Sequence, residues 1–419
     1  MRFASCMVLI FTLNLHTIPG DSLFRDFAFR TKAVSGDYQA NGNNVLLQNQ
    51  SATDVTLLEL ITQANYSVEI HHVTTEDQYI LTVFRLPGPP GSTPVFLQHG
   101  LLESSVDWLL PGKGRSLAYI LSNHGYDVWL GNARGSTYSR KHKTLSTSDP
   151  KFWDFSWDEL GMYDLPAVIT YITDLKKDSL FYIGHSMGAT TFSVMAIERP
   201  EVAKKVKAMI GLAPATYVYY IRASIKLIAP FWKLFQHVSN ALGIYEFFPH
   251  SLFFDNFARS ICKTTSLRNV LCSNPLFLIA GFNPEKLNYP LLPKIWSSFP
   301  AGTSVKLFTH WLQQIVVNDL RKFDYGLPTN LKIYNKTEPP VYDISKVQVP
   351  VALLWSTNDW LVGQKDVEKF YSQIPLKLGM YKIEDENFNH FDFLWAVDAP
   401  ELVFSKIINI MNQFSNSIV

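Results

Sequence analysis

The stretch Gly184-His185-Ser186-Met187-Gly188 constrains this chain more than any other. The apolar run Leu180-Phe181-Tyr182-Ile183 before it predicts a buried strand, and Ala189 to Glu198 after it predicts a helix. In a strand–turn–helix setting, the serine of a G-x-S-x-G pentapeptide sits on a sharp, strained turn. Gly184 and Gly188 remove Cβ atoms that would collide there. The helix N-terminus aims backbone N–H groups and a partial positive charge at the hydroxyl. The pattern therefore predicts a nucleophilic Ser186. The plainer alternative is a glycine-rich turn whose serine caps a helix.

A serine hydroxyl needs a base, normally a histidine oriented by a carboxylate. In this arrangement the chain order is serine, acid, histidine. His390 lies in the polar loop Asn387-Phe388-Asn389-His390 that runs into an apolar segment, and is the expected base. His310 lies in an apolar helix-like run, Leu307 to Trp311, and reads as a packing residue. Val349 to Trp355 predicts a buried strand, and Asp359 falls just past its end, where open α/β sheets place functional groups. Asp359 is thus the expected orienting acid. Asp366 reads as the first turn of the following helix, and Asp385 and Asp392 as solvated or capping residues. An oxyanion hole needs backbone N–H groups. Met187 supplies one, and Leu101, after the strand Pro94–Gln98 and the small Gly100, supplies the other. His99 reads as a structural residue that fixes this loop.

A net charge of +1 leaves no basic footprint for nucleic acid, and 47% apolar residues describe a folded globular chain. The start of the chain has one positive charge, an apolar run from Ala4 to Leu15 and a small residue at Gly20. It resembles a secretory signal peptide over residues 1–20 and is too short to span a bilayer. No other stretch is long and apolar enough to serve as a transmembrane anchor. Export permits disulfides, and Cys262 and Cys272, the two cysteines left after signal removal, are expected to pair; two buried free thiols are the alternative. No cysteine or histidine spacing suits zinc, so no metal is expected. Sequons at Asn49, Asn65 and Asn335 are plausible glycan sites.

Strand and helix signals alternate from Tyr66 to Leu212, with a hairpin at Tyr66–Val73 and Tyr79–Arg85. They predict an α/β fold with a doubly wound, mostly parallel sheet. Residues 21–214 and 343–419 are the expected core. Between 215 and 342 strand signals nearly vanish and aromatic residues accumulate, which reads as an inserted helical cap, with about 249–280 as a lid. Ile221, Ile225, Ile228, Trp232 and Phe235 recur at helical spacing, with a kink expected at Pro230. This stripe reads as cap core or as a lipid-facing surface.

Several stretches, in order, resemble the animal acid lipases, the group that contains gastric and lysosomal acid lipases and their insect relatives. They include His99-Gly100-Leu101-Leu102, the run Gly125 to Gly135, Tyr163-Asp164-Leu165-Pro166-Ala167, Pro300 to Val305 and Asn389-His390-Phe391-Asp392-Phe393. The resemblance covers nearly the whole mature chain. It implies the α/β-hydrolase fold and Ser186, Asp359 and His390 as nucleophile, acid and base. It also implies Leu101 and Met187 as the oxyanion hole, a Cys262–Cys272 bridge and no cofactor. Met187 stands where gastric lipase has a glutamine, and Ser356-Thr357-Asn358 replace a more usual Gly-Gly-Lys. The expected function is an exported serine esterase acting on lipid esters (triacylglycerol or sterol ester) at a lipid–water interface, secreted or lysosomal. The alternatives are a catalytically silent lipid-binding protein on the same fold and a small-ester hydrolase.

Overall fold

The computed structural model describes residues 57–249 and 266–416. A short helix α1 (Leu57–Gln63) leads into strands β1 (Glu69–Thr74), β2 (Tyr79–Leu86) and β3 (Pro94–Gln98). Helix α2 (Leu117–Asn123), β4 (Asp127–Leu130), the two-residue β5 (Lys141–His142) and α3 (Leu165–Lys176) follow. Next come β6 (Leu180–His185), α4 (Met187–Glu198) and β7 (Val206–Leu212). After a long helical excursion the chain returns as β10 (Val351–Trp355), α8 (Gln364–Gln373), β11 (Lys377–Lys382) and α9 (Ser405–Asn416). Among the described residues, nine strands form one sheet in the order β1-β2-β4-β3-β6-β7-β10-β11, with β5 paired to β2. The β1–β2 hairpin is antiparallel, whereas the β4-β3-β6-β7-β10-β11 block is parallel.

The central strands read as continuous apolar runs because helices cover both faces. Every residue of β3, β6 and β10 is buried. Alternation along each strand divides the core into two layers. Leu97, Ile183, Ile210 and Leu354 belong to one layer, and Phe96, Tyr182, Met209 and Leu353 to the other. The parallel strands all point the same way, so the loops after β3, β6, β10 and β11 gather at one end of the sheet.

The excursion contains α5 (Trp232–Ala241), α6 (Ser266–Ala280), α7 (Val305–Val316) and a two-residue antiparallel pair, β8 (Glu246–Phe247) with β9 (Thr303–Ser304). The continuous helix with a kink at Pro230 does not form. Ser224–Leu227 and Ala229–Phe231 are separate 3₁₀ turns, and the α-helix begins only at Trp232. Pro230 cannot donate into a preceding turn and sits at the start of its own. Ile225, Ile228, Trp232 and Phe235 are partly buried and pack against the core. The opposite stripe, Leu227, Phe231, Leu234 and Leu242, is between 61% and 78% exposed. Among the described residues no helix is long and apolar enough to cross a membrane.

Asn65 and Asn335 are exposed and follow helix ends in the left-handed conformation, which asparagine tolerates. Cys272 is disulfide-bonded. Cys262, Asn49, residues 1–20 and half of the expected lid (250–265) lie outside the described residues.

Candidate active site

Ser186 stands between β6 and α4 with φ 52° and ψ −114°, a strained conformation for a non-glycine residue that costs on the order of 1–3 kcal/mol. The glycines around it leave no room for alternatives. A Cβ on Gly184 would lie 2.7 Å from the Gly188 carbonyl carbon, and one on Gly188 would lie 2.6 Å from the Gln98 carbonyl oxygen. Met187 is the first residue of α4, so its N–H has no acceptor inside the helix. The elbow packs against the end of β3, which brings the loop after that strand to the same place. A Cβ on Gly100 would lie 2.9 Å from Ser186 Cβ. Leu101 follows directly.

His99 holds this loop rather than reacting in it. Its Nδ1–H donates to the Gly100 carbonyl at 2.8 Å, and its Nε2 accepts the Ala133 N–H at 3.0 Å. Burial lowers the pKa of the ring, which keeps it neutral and in this tautomer. Arg134, next to Ala133, is itself clamped by Asp164 and Asp77.

Asp359 and His390, 31 residues apart, meet: His390 Nδ1–H donates to Asp359 Oδ2 at 2.7 Å. Asp359 Oδ1 accepts the N–H groups of Leu361 and Val362, each at 2.8 Å. The carboxylate is therefore fixed by its own loop, and it fixes the imidazole tautomer with Nε2 as the basic nitrogen. Both side chains are almost fully buried, at 1% and 2% exposed. Ser186 Oγ makes no side-chain hydrogen bond to the start of α4. The residue before it touches the base loop, because His185 Nε2 lies 3.0 Å from the His390 carbonyl oxygen.

The competitors serve structure. His310 stacks on Trp157 with ring centres 3.7 Å apart and donates to the Arg321 carbonyl. Asp366 accepts the Tyr219 and Tyr220 N–H groups at the start of the excursion. Asp392 accepts the Asn389 N–H and the Asn283 amide, both at 2.7 Å, and burial pushes its carboxyl up to about 7.

Residues Ala280 to Asn283, at the end of α6, form a strap that has no signal in the sequence pattern. The Ala280 carbonyl accepts the N–H groups of Trp360 and His390, the Gly281 carbonyl accepts the Asn389 amide, and the Phe282 carbonyl accepts the Asn358 amide. Gly281 has φ +115°, and a Cβ there would lie 2.0 Å from Asn358 O. The helical excursion thus holds the Asp359 loop and the His390 loop together.

A parallel sheet that presents a serine elbow and a carboxylate-backed histidine at its C-terminal end defines an α/β hydrolase. Residues 93–397 match the family described as alpha/beta hydrolase fold, and residues 57–112 match a partial alpha/beta-hydrolase lipase region. The chain is 39% identical to Lipase 1 of Drosophila melanogaster over 85% of its own length and 79% of the relative's. It is 38% identical to human gastric triacylglycerol lipase, covering 86% and 91% of the two chains. Identity to the lysosomal acid lipase/cholesteryl ester hydrolase of Macaca fascicularis is 36%, covering 90% and 95%. The chain belongs to the animal acid lipase family and is a carboxylic ester hydrolase of the α/β-hydrolase fold.

Proposed function

We propose that the chain is an exported lipase that cleaves triacylglycerol or sterol esters through an acyl-enzyme on Ser186. His390 Nε2 takes the Ser186 proton as Oγ attacks the ester carbonyl carbon. The N–H groups of Leu101 and Met187 receive the oxyanion. Asp359 stabilises the imidazolium that forms. His390 then gives its proton to the leaving alkoxide, and the alcohol departs. Water, deprotonated by the same nitrogen, attacks the acyl carbon and releases the fatty acid and Ser186. The observation that carries this reading is the 2.7 Å His390–Asp359 bond, made beside the strained serine elbow. No step draws on a cofactor or a metal.

The substrate class is supported by the names of two relatives, a triacylglycerol lipase and a cholesteryl ester hydrolase. It is also supported by the exposed stripe Leu227, Phe231, Leu234 and Leu242, which offers apolar surface to a lipid–water interface. Residues 215–342 are read as the cap over the core, and the exposed Asn65 and Asn335 as glycan acceptors in a secreted or lysosomal protein.

The test is an ester series of increasing chain length on wild type and Ser186→Ala, with a fluorophosphonate label to mark the nucleophile. Labelling at Ser186 and hydrolysis of long-chain emulsified esters are expected, both lost in the variant. A chain that binds lipid but takes no label is a carrier. One that cleaves only short soluble esters is a small-ester hydrolase.

A further inference from the structure

We propose that Glu103 and His185 form a second carboxylate–histidine pair, beneath the first, that positions His390 and the oxyanion loop. The proposal rests on the assignment of His390 as base. His185 Nδ1 lies 2.8 Å from Glu103 Oε1 and 3.0 Å from Oε2. Its other nitrogen, Nε2, lies 3.0 Å from the main-chain carbonyl oxygen of His390. Glu103 Oε2 also accepts the Gly100 N–H at 2.6 Å. One buried carboxylate thereby ties the loop that carries the Leu101 N–H to the ring behind Ser186, and that ring ties the elbow to the loop of the base. The rings of His185 and His390 are 4.8 Å apart.

Carboxylate and carbonyl oxygens only accept hydrogen bonds. A neutral imidazole has one N–H and serves one of them, whereas an imidazolium serves both. His185 is therefore a cation in the assembled site. Its side chain is 0% exposed and that of Glu103 is 1% exposed, so the two charges compensate each other away from water. The titratable groups around the pair are His99 and Asp107 near Glu103, and Asp359 and His390 on the acid and base loops. Burial opposes the charge on His185, but the Glu103 carboxylate and the His390 carbonyl raise its pKa above the ordinary histidine value. Burial also opposes the charge on Glu103, but His185 and the Gly100 N–H hold its pKa below the usual carboxylate value. Burial, with Glu103 as neighbour, pushes the Asp107 carboxyl well above the usual carboxylate value.

A histidine whose pKa is raised by folding contributes fully below its ordinary value of 6.5, and the contribution is lost as pH rises through its higher folded-state value. Above that point His185 gives up one of its two bonds, and the base loop loosens. The alkaline limb of activity reports His185.

The experiment measures kcat and KM against pH on a soluble short-chain ester for the full-length wild type and for His185→Gln, His185→Asn and Glu103→Gln. The Gln amide falls near Nε2 and keeps the bond to the His390 carbonyl, whereas the Asn amide falls near Nδ1 and loses it. We expect His185→Gln to keep kcat within about fivefold with a flattened alkaline limb, and His185→Asn to lose about 30-fold or more at unchanged KM. Glu103→Gln moves the alkaline limb to lower pH by about one unit or more. Equal losses in the two His185 variants, or an alkaline limb that stays in place in folded Glu103→Gln, overturns the proposal. Should Glu103→Gln not fold, the split between the His185 variants decides alone. A wild type that neither takes the fluorophosphonate nor cleaves ester would instead overturn the serine-hydrolase reading.

Discussion

His390 and His310 are both buried, at 2% and 1% exposed, and each donates one ring N–H to an oxygen. Their surroundings differ in what that oxygen belongs to. His390 faces the buried carboxylate of Asp359, held at the end of the sheet by two backbone N–H groups. His310 faces a backbone carbonyl, with an indole against its ring. Burial pushes the pKa of His310 down to about 3 despite that bond, so it stays neutral at any physiological pH. Burial alone thus makes a histidine inert. A carboxylate behind it stabilises the imidazolium needed halfway through a proton transfer. The region at the strand ends supplies such a group twice, at Asp359 and Glu103, and the region between Trp157 and α7 supplies none to its histidine.

The largest expected effect lies in removing that difference at the sheet end. His390→Ala should lower kcat by about 10⁴-fold or more, and Asp359→Asn by about 10³–10⁴-fold, with KM nearly unchanged. Single-turnover kinetics on a soluble ester check both, and an Asp359→Asn enzyme within tenfold of wild type would remove the carboxylate from the explanation. Next in size is Gly281→Ala. Its Cβ would sit 2.0 Å from Asn358 O at a φ of +115°, so the strap and the acid loop must part. A displacement of about 1 Å at the base can cost about 10²-fold in kcat. If Gly281→Ala retained full kcat, the strap would be packing only. His310→Phe keeps the stack on Trp157 and loses the bond to the Arg321 carbonyl. It should cost about 1 kcal/mol of stability, read by denaturant unfolding, and leave kcat within about twofold.

The different settings of these histidines were legible in the chain: a polar loop past the last strands for His390, an apolar helix for His310. The buried strands were legible for the same reason, since a parallel sheet covered on both faces is written as unbroken apolar runs. β3, β4, β6, β7 and β10 all stand where those runs lie. β11 left no such trace, because an edge strand with Lys377, Gly379 and Lys382 is half exposed and carries no apolar run. The strap at Ala280–Asn283 was illegible for a different reason. It acts almost wholly through main-chain carbonyls, which every residue has, and only Gly281 marks it. Glu103 and His185 were visible as residues, but their pairing depends on β3 and β6 being neighbours, which is a fact of topology.

The smallest effect concerns Asp158, the residue after the Trp157 on which His310 stacks, which accepts the Tyr342 hydroxyl at 2.7 Å and the Phe323 N–H at 2.9 Å. Burial pushes its carboxyl up to about 6, and the two hydrogen bonds only partly offset this. The sign is the reverse of an ordinary paired aspartate. The folded state holds this proton more tightly than the unfolded state, whose value is near 3.8. Asp158 therefore favours folding most below pH ~4, and its contribution declines as pH rises to about 6. Asp158→Asn keeps an oxygen for Phe323 and an amide for Tyr342 but cannot titrate. Between about pH 4 and pH 7 the melting temperature of the variant should fall less steeply than that of wild type, by on the order of a few degrees, with kcat unchanged. Parallel melting curves across that range would mean that Asp158 is ionised in the fold at every pH tested. Asp158 would then be an ordinary hydrogen-bonded anchor for Tyr342 and Phe323.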